Sequence, residues 1–167
     1  MTRRPHPLRP FVAGDIMALR DLFAASIEEL CQEDYDEDQR AAWAGEAGDA
    51  AEFARRLTMA TTLVVMAGGE HAGFASLKDN SVIDLLYVHP YHAGEGIGTA
   101  LADALEKLAA SRGADAVTVD ASETSVMFFE GRGYEPQRRN SVPREDVWLT
   151  TTTMKKLLKA PAGKALS

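Results

Sequence analysis

The sequence predicts an α/β domain built on a mixed sheet, and the first indication is a strand–helix–strand unit. Val82–Val88 and residues 115–120 are short runs rich in β-branched and other apolar residues, which is typical of buried strands. Residues 99–110, between them, are strong helix formers with apolar residues at helical spacing. A helical crossover predicts that the two strands lie parallel.

The second indication is a run of three strands joined by tight turns. Gly68-Gly69 separates Thr61–Ala67 from a strand-like run at residues 71–77, a pattern that favours a hairpin. Residues 78–81 then turn the chain into Val82–Val88, so three successive antiparallel strands are expected.

The other elements follow in order along one predicted domain, residues 1–167, in which residues 1–7 and 160–167 are expected to be flexible ends. Residues 8–11 form a short strand candidate, and Gly14-Asp15 is expected to cap a helix that ends near Cys31. The remaining predictions are helices at 39–43, 49–57 and 123–132 and strands at 136–141 and 147–154.

Gly94, Gly96 and Gly98 lie at alternate positions between the central strand and its helix. The first backbone amides of a helix have no partner within the helix, so they can bind an anion such as a phosphate. Glycine lets that anion come close to the backbone. A nucleotide P-loop is excluded because no lysine precedes Thr99, and a dinucleotide G-x-G-x-x-G motif fails on spacing. A tight strand-to-helix turn remains the plain structural alternative.

Residues 93–98, Ala-Gly-Glu-Gly-Ile-Gly, resemble the acetyl-CoA loop of the GNAT superfamily, Gln/Arg-x-x-Gly-x-Gly/Ala. Residues 86–90 (Leu-Tyr-Val-His-Pro) and 128–134 (Phe-Phe-Glu-Gly-Arg-Gly-Tyr) are similar to other segments of that superfamily. The resemblance covers roughly residues 8–157. It implies the GNAT acyltransferase fold, with six to seven strands and helices on both faces. It also implies acetyl-CoA as co-substrate and transfer of acetyl, by direct attack, to a primary amine of a small molecule or peptide.

The resemblance also implies which residues hold the cofactor. Main-chain groups of the central strand would pair with the pantetheine arm, and amides of residues 93–99 would hold the diphosphate. Ala93 replaces the usual Gln or Arg and Glu95 replaces a common basic residue, so weaker binding is expected. The implied cofactor residues are Leu86, Tyr87, Val88, Ala93, Gly94, Glu95, Gly96, Ile97, Gly98, Thr99, Ser122 and Phe129.

Two residues are candidates for acid–base catalysis, because an alkyl ammonium of pKa about 10.4 must lose a proton before it attacks. Asp84 interrupts an apolar strand, and alternation predicts that it shares a face with Val82, Leu86 and Val88. A structural carboxylate is the alternative. The family's acid is a tyrosine where this chain has Phe129, so Tyr134 is the remaining candidate nearby.

Tyr35 and Trp43 are the candidate acceptor residues. They lie in and just after the acidic stretch Gln-Glu-Asp-Tyr-Asp-Glu-Asp at residues 32–38, so an aromatic and acidic pocket for a cationic amine is one interpretation. A solvated acidic loop beside a buried tryptophan is the other.

Composition indicates which classes of partner and which cellular compartment to expect. A formal net charge of −7 disfavours nucleic acid and anionic membranes as partners. No apolar run is long enough to span a bilayer, no secretory leader is recognisable, and the single Cys31 forms no internal disulfide, so a cytoplasmic protein is expected. His89, His92 and Glu95 are not expected to converge on a metal, and none is predicted; a homodimer is left open.

Two other functions remain as alternatives. One is an NAD-binding oxidoreductase with Asp120 as the ribose-binding acid, weakened by the loop spacing and the short chain. The other is an acyl-CoA-binding sensor or partner module with little catalysis, suggested by Phe129 and Ala93.

Overall fold

The fold is a seven-stranded mixed sheet with helices on both faces, seen in a computed structural model that describes residues 6–158. The sheet order is β1-β2-β3-β4-β5-β7-β6, and every neighbouring pair is antiparallel except β4–β5. The strands are β1 (Leu8–Pro10), β2 (Thr61–Ala67), β3 (Glu70–Lys78), β4 (Val82–Val88), β5 (Ala116–Ser122), β6 (Glu135–Arg144) and β7 (Val147–Leu157). The helices are α1 (Ile16–Leu30), α2 (Glu37–Ala44), α3 (Ala50–Met59), α4 (Ile97–Ser111) and α5 (Val126–Gly131).

The sheet separates two apolar cores. On one face α4 and α5 cover the cluster that includes Ile83, Leu101 and Phe129. On the other face α1 and α3 cover the cluster that includes Phe23 and Leu85. Strands with both faces covered are continuous apolar runs, and the runs that end at Gly68-Gly69 and at His89-Pro90 predicted β2 and β4 with their observed bounds.

Helix α4 approaches β3 closely at Gly73. A Cβ at this glycine would lie 2.6 Å from Ile97 Cγ2 and 3.2 Å from the Tyr87 carbonyl oxygen. Glycine therefore permits the contact between the first residue of α4 and the middle of the sheet.

Several predicted boundaries shift for local reasons. Helix α4 begins at Ile97 rather than at residue 99, directly after Gly96 in the left-handed conformation. Helix α5 is shorter than the predicted 123–132, because residues 122–125 form a turn in which the Ser125 amide donates to the Ser122 carbonyl. Strand β5 extends to Ser122 because it stays paired with β7 to that residue.

Asp15 lies at the N-cap position of α1, as predicted, but it does not cap the helix with its side chain. Its carboxylate makes no capping bond to the helix and instead accepts hydrogen bonds from Arg9 at 2.7 and 2.8 Å and from the Val12 amide at 2.9 Å. His71 Nε2 lies 2.8 Å from the same group. The residue is buried, and this cluster joins β1, β3 and the start of α1.

The expectation of flexible ends falls mainly on residues 1–5 and 160–167, which lie outside the described residues. His6 is described, and its Nε2 lies 2.7 Å from the Glu95 carbonyl oxygen.

Candidate active site

The site begins where β4 and β5 separate. Their parallel pairing covers only Val82–Thr118 and Ile83–Val119, although β4 stays with β3 as far as Val88 and β5 stays with β7 as far as Ser122. Each strand keeps its outer partner, so the facing edges lack a strand partner beyond this point. A cleft of about 640 Å³ opens there and reaches both faces of the sheet.

A β-bulge accounts for the separation. Leu77 pairs with Ile83 and Ser76 pairs with Leu85, so Asp84 is an extra residue without a partner on β3. A bulge bends its strand and increases the local twist, which turns β4 away from β5.

The bulge also overturns the predicted face of Asp84. Ile83, Leu86 and Val88 pack in the core beneath α4, whereas Asp84 receives Arg56 of α3 on the opposite face, with N–O distances of 2.8 and 3.1 Å. The expected sharing of a face with Leu86 and Val88 is wrong because the extra residue breaks the two-residue alternation. Asp84 does line the cleft, as a carboxylate held by two bonds to one guanidinium.

The glycine loop forms the mouth of the cleft on the α4 side. Gly94 and Gly96 have φ of 82° and 83°, a conformation that favours glycine. Within residues 6–158, the amides from Gly94 to Thr99 donate to no protein acceptor, whereas the Ala93 amide donates to the Pro90 carbonyl at 3.3 Å. The expectation that the Ala93 amide is also free is therefore wrong. The free amides lie at the start of a 15-residue helix, where the helix dipole adds partial positive charge.

Gly98 is not required by the protein around it. Its φ is ordinary, and an added Cβ would be 3.6 Å from Phe128 and 3.8 Å from Leu86, which is normal contact. Gly98 lines the cleft, so the missing side chain leaves room for a group that approaches the backbone closely.

The Glu95 side chain does not line the cleft. Its carboxylate lies 3.0 Å from His92 Nδ1, and His92 Nε2 lies 3.6 Å from Glu70. Only the main chain of Glu95 belongs to the row of free amides.

The predicted acid–base and cofactor residues near α5 lie in two places. Phe129 and Ser122 line the cleft, with the Ser122 hydroxyl 3.0 Å from that of Ser125. Tyr134 lies outside the cleft, buried in the α4-side core, and donates its hydroxyl proton to Glu106 at 2.9 Å. Burial and the Glu106 carboxylate raise the pKa of Tyr134 far above its ordinary value, which does not suit a proton donor.

The predicted acceptor residues, Tyr35 and Trp43, line the opposite half of the cleft together with Tyr87. Ring centroids of Tyr35 and Trp43 are 5.2 Å apart, and those of Trp43 and Tyr87 are 6.4 Å apart. The acidic side chains of residues 33–38 are exposed and do not line this pocket. The pocket is therefore aromatic, as predicted, but it lacks the predicted acidic residues of this stretch.

Tyr35 connects two segments around the half of the cleft lined by Tyr35, Trp43 and Tyr87, which is called the acceptor half after the predicted role of Tyr35 and Trp43. Its hydroxyl donates to the Thr150 carbonyl at 2.6 Å and accepts the Glu123 amide at 2.9 Å. Burial raises its pKa to about 12. Trp43 Nε1 lies 3.2 Å from the Tyr87 hydroxyl, so the polar atoms of this wall are already bonded.

Comparison with known proteins assigns the family. The family model described as an acetyltransferase (GNAT) domain matches residues 31–158. The chain belongs to the GNAT family of N-acetyltransferases.

Relatives of this GNAT chain agree over nearly its whole length. It is similar to a GCN5-related N-acetyltransferase of Rhodopseudomonas palustris, with 47% identity, a TM-score of 0.91, and coverage of 95% of this chain and 99% of that one. It is also similar to the uncharacterized N-acetyltransferase YafP of Escherichia coli K12, 27% identical over 148 residues, covering 89% of this chain and 93% of that protein. The fold is shared with a PaiA N-acetyltransferase of Thermoplasma acidophilum in complex with coenzyme A, at 17% identity, a TM-score of 0.75, and coverage of 92% and 99%.

Family membership removes the dinucleotide-binding alternative. A doubly wound domain needs a mostly parallel sheet, whereas the described sheet of this GNAT chain has a single parallel pair. In residues 6–158 no three His, Cys, Asp or Glu side chains are grouped to hold a metal ion. The same residues include no helix of the length and apolarity needed to cross a bilayer.

Sequence reasoning missed Asp120 as a residue of the GNAT cleft, having weighed it only as a ribose-binding acid. Asp120 lines the cleft and is exposed, one residue beyond the last pair of β4 and β5. The signal was present: an acid interrupts the apolar strand of residues 116–121, the same signal that drew attention to Asp84.

Proposed function

We propose that this GNAT chain transfers the acetyl group of acetyl-CoA to a primary amine of a small molecule or peptide by direct attack. One observation carries the proposal: the split between β4 and β5 and the row of free amides at the start of α4 belong to the same cleft. A bare strand edge suits an extended amide-containing arm, and free helix-start amides suit a diphosphate.

The residues fit coenzyme A along the α4 side of the cleft. The main chain of Leu86, Tyr87 and Val88 would pair with the pantetheine arm, and the amides of residues 94–99 would hold the diphosphate. Ser122 would offer a hydroxyl to the arm, and Phe129 would contact it. The space left by Gly98 supports a close approach of the ligand to the backbone.

Direct attack is favoured over a covalent enzyme intermediate. Cys31 is the only cysteine of the chain, and burial raises the pKa of its thiol, so little nucleophilic thiolate forms near neutral pH. When bound, acetyl-CoA supplies the carbonyl carbon with which the amine forms a C–N bond while the C–S bond breaks. Two protons leave the nitrogen for water on the open side of the cleft, one before the attack and one as the amide forms. In a second transfer, the released thiolate takes one proton from water, so one proton is released overall. Phe129 offers no hydroxyl for that second transfer.

Gly98→Ala tests the placement of the cofactor. A methyl group fits the protein at this position, and alanine is a better helix former, so the free variant should be more stable by up to about 1 kcal/mol. The same methyl occupies space in the cleft, so calorimetric titration should show at least about tenfold weaker CoA binding, equivalent to about 1.4 kcal/mol.

Gly14→Ala is the matched control, since a Cβ added at Gly14 would meet nothing within 4 Å and the residue is remote from the cleft lining. It should leave CoA affinity unchanged. Unchanged CoA affinity in Gly98→Ala would mean that the diphosphate does not lie in this loop.

An acyl-CoA-binding module with little turnover is a second candidate, favoured by the absence of a hydroxyl at Phe129. A thiol-release assay with acetyl-CoA and a panel of alkyl, arylalkyl and polyamine acceptors separates the two. CoA binding with no thiol release for any amine would favour the binding module.

A further inference from the structure

The two carboxylates of the cleft lie on either side of the point where the strands separate. Ile83 and Val119 are the last parallel pair, and the next residues are Asp84 on β4 and Asp120 on β5. Val119 and Ala121 pack in the core beneath α4, so alternation places Asp120 on the opposite face, the face on which Arg56 bonds Asp84. Both acids therefore lie at the acceptor half of the cleft.

The two carboxylates differ in their free bonding capacity. Both oxygens of Asp84 accept from Arg56, so its charge is matched by a guanidinium. Asp120 accepts a single hydrogen bond, from the Thr153 hydroxyl to Oδ1 at 2.6 Å, and forms no ion pair within residues 6–158. Asn140 donates to Thr153 at 2.9 Å, so this short chain orients the Asp120 carboxylate and leaves Oδ2 available.

The rest of the acceptor half is chiefly apolar and aromatic. Tyr35, Trp43, Tyr87 and Leu149 line it, and the polar atoms of the three aromatic residues are bonded within the protein. Among the described residues, no Asp, Glu, Lys or Arg side chain lines the cleft besides the two aspartates. One unmatched carboxylate in a cleft that is also lined by aromatic rings suits a ligand with one positive charge and a flat apolar body.

We infer that Asp120 anchors the ammonium group of the acceptor, and that the acceptor is a primary monoamine with an aromatic or similarly flat apolar body. A polyamine or aminoglycoside has several charges, and this half of the cleft offers no further unmatched carboxylates for them. Asp120 holds the amine next to the point where β4 and β5 part, and its exposure gives the departing ammonium proton a path to water. The inference deepens the proposed acetyl transfer and rests on it for the identity of the second ligand.

The test measures binding rather than turnover, so that it does not depend on catalysis. Calorimetric titration at low salt would follow 2-phenylethylamine, 2-phenylethanol and spermidine binding to CoA-saturated protein. Because Asp120 is exposed, its ion pair is partly screened, and Asp120→Asn should weaken 2-phenylethylamine binding by about three- to tenfold. Binding of 2-phenylethanol, which lacks the charge, should be equal in both proteins.

The control variant is Asp21→Asn, which removes the same charge from an exposed position on α1 away from the cleft lining and should leave every affinity unchanged. Circular dichroism and a thermal unfolding curve like those of the wild type establish that the Asp120→Asn variant is folded. The inference is overturned if Asp120→Asn leaves 2-phenylethylamine binding unchanged, if spermidine binds more tightly than 2-phenylethylamine, or if the wild type binds no 2-phenylethylamine.

Failure of the inference is distinguishable from failure of the proposed function. If spermidine is bound and acetylated in preference, acetyl transfer stands and the Asp120 monoamine site falls. If CoA does not bind, the proposed function falls, and titration of the free protein still tests the Asp120 anchor. If 2-phenylethylamine binds through Asp120 but no thiol is released, the anchor stands without transfer.

Discussion

Gly73→Ala should both destabilise the fold and weaken cofactor binding. The new Cβ would lie 2.6 Å from Ile97 Cγ2 and 3.2 Å from Leu101 Cδ1, both on α4, and 3.2 Å from the Tyr87 carbonyl oxygen. A contact of 2.6 Å is well inside carbon–carbon van der Waals distance, and the backbone oxygen on the other side limits relaxation of β3. Helix α4 must therefore move outward at its first turn.

The expected cost follows from the packing. Overfilling a packed core by one methyl group costs about 1–3 kcal/mol, which for a domain of this length lowers the melting temperature by roughly 2–12 °C. Because Ile97 is the first residue of α4, the displacement also moves the free amides of the glycine loop, so CoA affinity should fall together with stability.

Thermal unfolding and CoA titration measure the two effects, and Gly131→Ala serves as control because nothing lies within 4 Å of its added Cβ. A double-mutant cycle with Ile97→Ala identifies the contact. That substitution removes the clashing methyl group. The double variant should therefore lose less unfolding free energy than the sum of the two single variants, by at least about 0.5 kcal/mol. Additive costs, or a Gly73→Ala protein as stable as the wild type, would refute the reasoning.

Two further predictions concern residues buried away from the cleft. Tyr134→Phe removes the hydrogen bond to Glu106 and should lower the free energy of unfolding, measured in urea, by about 1 kcal/mol. The value of kcat should stay within twofold of the wild type, because the hydroxyl lies outside the cleft. A large loss of kcat would restore Tyr134 as a catalytic candidate. Asp15→Asn should cost about 1.5–3 kcal/mol at pH 7, because the hydrogen bond from Arg9 holds the pKa of the Asp15 carboxyl well below its usual range. A depressed folded-state pKa contributes stability above the unfolded value near 4, and this contribution is lost as the pH falls through the folded value. The difference between wild type and variant should therefore narrow below about pH 4, and a pH-independent difference would contradict the assignment.

The sequence was sufficient for the elements and their order because those depend on local patterns. The parallel relation of β4 and β5 followed from the helix between them, and the hairpin of β2 and β3 from Gly68-Gly69. The glycine loop was recognisable for the same reason, since its function depends on backbone that only certain residues permit. Boundaries failed where a turn competed with a helix, as at residues 122–125.

The catalytic candidates were less predictable because their positions depend on register and packing between distant segments. The predicted face of Asp84 was wrong because of a β-bulge, and no local pattern in the sequence of β4 indicates that bulge. Tyr134 follows a glycine near the candidate site in sequence, yet its hydroxyl is directed to Glu106, 28 residues earlier. Asp120 was visible as an acid in an apolar strand, but its free oxygen became evident only when its neighbours on β7 and β6 were known.

The geometry of the candidate site depends on how β4 is held on its two sides. Toward β3 it is bonded through Val88, and the His89 amide still donates to the Ala72 carbonyl, so the entry to the glycine loop is fixed to the sheet. Toward β5 it is released after Ile83, where the bulge at Asp84 begins the separation. Helix α4 then returns to β3 at Gly73, within van der Waals reach of the strand that carries the bare edge. The free amides and the bare edge are thus connected through β3, β4 and α4, and both border the same cleft.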